Sequence, residues 1–205
     1  EEDPDTRDSL VVLLRSVLVI QEQTEKILSI ARLTRDEVAV NPEPVAITAC
    51  IAESVQRNWL TIQQKGIDIL VDIPDSLIVQ FSETDGGVVF DNLISNAVKY
   101  SVEKSRIRIT SETRENSVCF FVADHGIGLT PGEAAHVFDE FYMADPSRHD
   151  RGSSGLGLAI VRRIVSLYGG TVHVWSEGKG KGSTFSFCLP AGTGRDESGS
   201  CGDST

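Results

Sequence analysis

The chain has 205 residues, 40% of them hydrophobic and 24% charged, with a formal net charge of −11. That apolar share suffices for a packed core, and the length for one ordinary domain plus an extra element. The acidic balance excludes wholesale nucleic-acid binding, because a phosphate backbone needs a basic surface, but it leaves room for a local pocket that takes a phosphorylated ligand.

The N-terminus, EEDPD, is acidic, unlike the basic start of a signal peptide. Residues 6–37 read as one long helix. Leu13, Val17, Ile20, Thr24, Ile27 and Ala31 recur at four-three spacing, a coiled-coil-like seam. Nothing else in the chain offers that seam a parallel partner of equal length, which points to a partner helix outside it; packing on its own domain is the alternative. The apolar run Leu10–Ile20 is broken by Arg15 and Ser16 and is too short to span a bilayer. No membrane segment is therefore expected.

NPEPV at 41–45 breaks the helix, since each proline disfavours helix before it. A second helix is expected over 46–64, with Ile47, Ile51, Val55, Asn58 and Ile62 on one face and Gly66 placed to end it. IDILVDI at 67–73 alternates as a half-buried strand does, and LIVQF at 77–81 is a second short strand. A helix over 84–101 follows. Strands are expected at 106–113 and 117–124, the latter nearly all apolar and hence central. Thr130-Pro131-Gly132-Glu133 is a capping box with proline at the first helical position, opening a short helix that ends near Phe138. Residues 142–155 are polar and aperiodic, a long loop. A helix over 156–168 ends at Gly169-Gly170, and strands at 171–176 and 183–189 flank the glycine-rich EGKGKG. From residue 191 the tail is low in complexity and reads as disordered.

Helices and hairpins alternate without a regular β-α-β rhythm. The expected class is α+β, a two-layer sandwich with a mixed or antiparallel sheet, preceded by the long N-terminal helix. Cys50, Cys119, Cys188 and Cys201 have no metal-like spacing. The first three stand in apolar surroundings and read as small core residues, which fits a reducing cytosol; Cys201 lies in the tail.

Three stretches carry chemistry. In FDNLISNAVKYS (90–101), Phe90, Leu93, Ile94, Ala97 and Val98 form an apolar arc, while Asn92, Asn96 and Lys99 share the opposite side and Tyr100 sits at the border. Amide carbonyls are hard oxygen ligands suited to Mg²⁺, and lysine gives a point charge for phosphate. An ordinary solvated helix face is the plainer reading. In VADHGIGL (122–129) a strand ends in Asp124, followed by Gly126 and Gly128. Such a carboxylate can accept from an exocyclic amine, and the glycines allow close backbone approach. A plain turn is the alternative; a Ca²⁺ loop lacks its further acidic positions. In GSSGLGLAIV (152–161) a glycine-rich turn feeds a helix N-terminus, which presents free N–H groups to phosphate unless it is simply a capped helix start. It is neither a Walker loop nor a Rossmann fingerprint.

Each stretch alone is weak, but their order and spacing resemble the GHKL superfamily of ATP-binding domains, and within it the catalytic domains of sensor histidine kinases. The resemblance runs from about residue 28 to Pro190. The N box matches at Asn92–Ser101, the first glycine box at Asp124–Gly128, the phenylalanine box at Val137–Tyr142 and the second glycine box at Gly155–Leu158; Gly182-Ser183-Thr184-Phe185 matches the turn before the last strand. It implies a Bergerat-type fold, a mixed, mostly antiparallel sheet covered by about three helices.

It also implies roles. Asn96 would ligate Mg²⁺ with Asn92 assisting, Lys99 would touch phosphate, and Tyr100 would pack near adenine. Asp124 would bind the adenine amine, supported by Thr184. Gly126, Ile127, Gly128 and Leu129, with Ser154, Gly155, Leu156, Gly157 and Leu158, would shape the pocket and the hinges of an ATP lid over 142–155. Phe138 and Phe141 would anchor that lid. ATP-hydrolysing members of the superfamily carry a glutamate at the position of Asn92 to activate water. An asparagine there implies a protein-histidine kinase that holds ATP and delivers its γ-phosphoryl elsewhere.

The four histidines, His125, His136, His149 and His173, all lie off helix 6–37. The resemblance therefore implies an acceptor histidine upstream, on a helical hairpin of the same kinase acting in cis or in trans, with relay to a response regulator. Residues 1–40 would be part of the dimerisation and phosphoacceptor region, 41–190 the ATP-binding domain and 191–205 the tail, in a cytoplasmic protein or the cytoplasmic portion of a membrane-bound sensor. Such kinases often carry arginine where this chain has Met143, a charge that Arg148 or Arg151 would have to supply. A degenerate module that binds nucleotide or dimerises without kinase activity is the alternative, and Met143 is its only support. Ser82 stands where an aspartate commonly precedes the N-box helix, with little effect expected.

Overall fold

The structure, a computed structural model, describes residues 40–143 and 154–191, together with Leu10, Leu13, Leu14, Ser16, Val17, Ile20, Gln21, Thr24, Ile27 and Leu28. These N-terminal residues are helical, as the seam predicts, and Leu13, Val17, Ile20 and Ile27 are each more than half exposed. Ala31, the stretch 144–153 and the tail from 192 lie outside the described residues.

The NPEPV stretch does more than break a helix. It builds β1 (Glu43–Ala46), which pairs antiparallel with β3 (Ile78–Phe81) in a separate two-stranded sheet. Pro44 is tolerated because a two-stranded ribbon leaves each strand an edge where no N–H is needed. The helix expected over 46–64 is two helices, α1 (Ile47–Arg57) and α2 (Trp59–Lys65), parted at Asn58. The Asn58 carboxamide donates to the Ser54 carbonyl at 2.9 Å, a local bond that competes with helix propagation. Gly66 ends α2 at φ +61°, in the left-handed region that glycine adopts freely.

The main sheet has the order β2-β4-β5-β7-β6, with β2 (Asp68–Asp72), β4 (Arg106–Arg114), β5 (Ser117–Ala123), β6 (Thr171–Trp175) and β7 (Thr184–Pro190). Only β2 and β4 pair in parallel; the other three pairings are antiparallel. β5 is central, as its apolar run predicts. The strand expected over 77–81 is β3 and stands apart from this sheet.

One face of the sheet is covered by helices. α3 (Glu83–Tyr100) packs between α1 and α5 (Gly157–Leu167), and α4 (Pro131–His136) is short and opens on the expected Thr130/Glu133 capping box. Phe90 of α3 meets Phe120 and Phe187 edge-on at 5.7 and 5.4 Å, and those two rings stack at 5.0 Å as register partners. All three are fully buried, each contributing roughly 2–3 kcal/mol.

The other face corrects the reading of two cysteines as separate core residues. Cys119 and Cys188 are register partners on β5 and β7, joined by a disulfide across 69 residues of sequence. Strand alternation puts them on the side away from Phe120 and Phe187. Disulfides persist in oxidising surroundings, so the pair withdraws the support that cysteine usage lent to a reducing cytosol. Cys50 is an unbridged buried thiol, as expected, and Cys201 lies outside the described residues.

Candidate nucleotide site

Helix α3 supplies one wall of the site. Ser82 caps it, accepting from the Asp85 N–H at 3.4 Å, and Glu83 and Asp85 complement the positive end of the dipole. A serine thus caps this helix at the position where the resemblance leads one to expect aspartate. The apolar arc is buried, and Asn92, Asn96, Lys99 and Tyr100 are half-buried on the other side, as the periodicity predicts. The Asn92 Nδ2 donates to the Val88 carbonyl at 2.8 Å, whereas the Asn96 carboxamide makes no hydrogen bond among the described residues. Lys99 Nζ lies 5.3 Å from the centre of the Tyr100 ring.

Asp124 follows β5 and is only 8% exposed. Its N–H donates to the Ser183 carbonyl at 2.8 Å, and the Ser183 N–H donates back to Asp124 Oδ1 at 3.3 Å. Burial pushes its carboxyl up to about 6, against the opposing pull of the Ser183 and Gly126 N–H groups and the His125 charge. Thr184, half-buried, opens β7 directly opposite Ala123.

The glycine loop joins these walls. Ser101 and Gly126 form an isolated bridge, and the Ile127 N–H donates to the Tyr100 carbonyl at 3.3 Å. A Cβ on Gly126 would collide with that same carbonyl. Gly128 has φ +63° and backs onto Gly178, while Leu129 is buried. The hub behind this loop is Ser176, which the motifs do not announce. Its hydroxyl donates to the Gly182 carbonyl at 2.6 Å and accepts from the N–H groups of Leu129 at 3.0 Å and Gly178 at 3.2 Å. The Gly180 and Gly182 N–H groups complete the seam on Ile127 and Gly126 at 2.7 and 3.1 Å.

The second glycine box closes the far side. Leu156 is buried in the core; Ser154, Gly155, Gly157 and Leu158 are half-buried. Gly155, at φ +68°, accepts from the Phe141 N–H at 3.1 Å, tying together the two ends of the loop over 142–155. Phe138 is buried edge-on to Phe185 at 6.2 Å. Phe141 differs: its backbone makes the tie while its ring is 66% exposed. Arg148 and Arg151 lie outside the described residues.

The structure therefore joins Asn92 to Gly157, Tyr100 to Gly126 and Asp124 to the turn before Thr184 by contacts long in sequence, while Gly155 meets Phe141 and Tyr142. Its chemistry fits a nucleotide. The Asp124 carboxylate, buried yet close to the loop, and the half-buried Asn96 carboxamide, which makes no hydrogen bond among the described residues, are the polar groups it offers a ligand. No group of three His, Cys, Asp or Glu among the described residues stands ready for a metal, so Mg²⁺ would rely on amide oxygens and ligand phosphates.

An α+β sandwich with an amide-bearing helix, a buried carboxylate and glycine turns arranged in this way defines the GHKL class of nucleotide-binding domains. The chain belongs to the family described as histidine kinase-, DNA gyrase B-, and HSP90-like ATPase, whose model matches residues 81–193. It is 33% identical to the sensor-like histidine kinase SenX3 of Mycobacterium tuberculosis (strain ATCC 25618 / H37Rv) over 171 residues, 83% of this chain and 42% of that protein. It is 30% identical to the sensor histidine kinase WalK of Bacillus subtilis (strain 168), over 86% of this chain and 30% of that one. Among solved structures it is similar to full-length ShkA in complex with AMPPNP, with a TM-score of 0.78 and 26% identity over 93% of this chain and 40% of that one. The nucleotide-free catalytic domain of histidine kinase ThkA aligns over 74% of this chain and 96% of that one, with a TM-score of 0.64 and 25% identity. The chain thus spans under half the length of these curated relatives. Among its described residues no helix is long and apolar enough to cross a membrane.

Proposed function

We propose that this chain is the ATP-binding catalytic domain of a sensor histidine kinase. It passes the γ-phosphoryl of ATP to a histidine on a helical hairpin outside residues 41–190, for relay to a response-regulator aspartate. In that transfer the bond from the γ-phosphorus to the β–γ bridging oxygen breaks, a phosphorus–nitrogen bond to imidazole forms, and ADP leaves.

The observation that carries the reading is the state of Asn92. Its N–H is committed to Val88 and its oxygen faces Gly157, and a carboxamide has no basicity with which to take a proton from water. The site therefore holds ATP for transfer, which needs chiefly positioning and charge neutralisation.

Asp124 accepts from the adenine amine, with Thr184 in support, and Tyr100 packs near the base. Gly126–Leu129 and Ser154–Leu158 shape the cradle. Asn96, with Asn92 assisting, would hold Mg²⁺, which would neutralise charge on the phosphate oxygens, and Lys99 adds a fixed positive charge. Arg148 or Arg151 would supply the lid charge that Met143 does not.

Binding of a non-hydrolysable ATP analogue, with and without Mg²⁺, tests this. Asp124→Asn is expected to abolish binding, and Asn96→Ala to retain ADP binding while stopping transfer. Binding that needs neither Mg²⁺ nor Asp124 overturns the reading.

A further inference from the structure

Lys65, the last residue of α2, reaches across to the end of α3. Its ammonium donates to three backbone carbonyls there: Val98 at 2.8 Å, Lys99 at 2.6 Å and Ser101 at 3.1 Å. The last carbonyls of a helix have no partner within it, and they carry the negative end of its dipole. One cation with three donors, supplied from 33 to 36 residues away, answers both needs.

That end of α3 is also where the helix meets the glycine loop. The Val102 N–H donates to the His125 carbonyl at 3.2 Å, Ser101 bridges to Gly126, and the Ile127 N–H donates to Tyr100 at 3.3 Å. The carbonyls held by Lys65, at residues 98, 99 and 101, are interleaved with the groups at 100 to 102 that hold the loop. Lys65 is itself fixed from behind, because its own carbonyl accepts from the Lys104 N–H at 2.8 Å and Gly66 turns the chain sharply after it. A charge-assisted bond to a backbone carbonyl is about twice as strong as a neutral one.

We infer that Lys65 is a positioning residue for the nucleotide pocket. It clamps the last turn of α3 so that Lys99 and Tyr100 on one side, and Asp124 to Gly128 on the other, keep a fixed mutual geometry. This rests on the proposed function as to what the pocket holds, but the clamp itself is a property of the fold.

The test has two arms, on Lys65→Met and Lys65→Arg. In hydrogen exchange without nucleotide, Lys65→Met is expected to lose protection at the Val102 and Ile127 amides while the Phe120 amide in the central strand keeps it. In binding, its dissociation constant for a non-hydrolysable ATP analogue is expected to rise about tenfold, well below its melting temperature. Lys65→Arg, which keeps charge and donors, should restore affinity to within about threefold of wild type. If Lys65→Met does not fold, Lys65→Gln, with two donors in place of three, should fall between wild type and a tenfold loss. Unchanged protection at Val102 and Ile127, or lost protection with unchanged affinity, overturns the inference and leaves Lys65 a stabilising contact only. If the wild-type domain itself fails to bind the analogue, the proposed function falls and the exchange arm alone decides whether the clamp exists.

Discussion

Gly157 presses on Asn92: a Cβ added at residue 157 would stand 2.5 Å from Asn92 Oδ1. The second glycine box and the N box are thus in close contact, and the missing side chain at residue 157 leaves the asparagine amide its room.

This contact predicts a separation of stability from binding. Gly157 is the first residue of α5, where the helix-propensity gain of alanine is smaller than the about 1 kcal/mol of a helix interior, so Gly157→Ala should change the melting temperature little. The displaced Asn92 amide should nevertheless weaken Mg²⁺-nucleotide binding by about tenfold. Calorimetric titration beside a thermal melt checks both.

Asp124 predicts a pH dependence. Its folded pKa, about 6, lies above the ordinary value of 3.8 because burial disfavours the charge. Folding therefore favours the protonated form. The contribution, roughly 3 kcal/mol, is fully present below pH 4 and is lost as pH rises through 6. Nucleotide binding runs the other way, since the carboxylate is the acceptor, so affinity should fall as pH drops below 6. Titrations between pH 5 and 8 check this, and Asp124→Asn should remove the part of the pH dependence of stability that this carboxyl contributes.

The Cys119–Cys188 disulfide predicts a dependence on reductant. For a loop closed across 69 residues the chain-entropy contribution is at most about 4 kcal/mol. A thiol reductant should lower the melting temperature by roughly 5–15 °C, and Cys119→Ala/Cys188→Ala should melt at that lower temperature with or without reductant. The pair lies on the face opposite the helices, so nucleotide affinity should change by less than twofold.

Ser176→Ala strips partners from the Leu129 and Gly178 N–H groups and the Gly182 carbonyl. Losing these part-buried bonds should cost about 1–3 kcal/mol, read as a lower urea midpoint. Because the hub backs the loop at Gly126–Leu129, affinity for the ATP analogue should fall with it.

What was legible in the sequence was local. The arc of α3, the Thr130 capping box, the Gly66 stop and the central place of β5 each follow from spacing within a few residues. The missing pieces depend on partners far along the chain. β1 exists because Glu43 to Ala46 find β3 35 or so residues later, against the local reading of two prolines. Nothing local marks Lys65, in the last turn of α2, and only the folded chain reveals three carbonyls beside it. Cys119 and Cys188 carried no spacing signal, because strand register alone makes them neighbours. Phe141 was legible as an anchor, but whether ring or backbone anchors was not.

The central claim is phosphoryl transfer rather than hydrolysis. The most direct measurement supplies γ-labelled ATP, Mg²⁺ and the proposed histidine-bearing helical hairpin to this domain, and follows label on the hairpin beside released phosphate. The account predicts acid-labile, base-stable label on the hairpin histidine and little free phosphate when the hairpin is left out. Steady phosphate release without the hairpin, or an unlabelled hairpin with nucleotide bound, would contradict it.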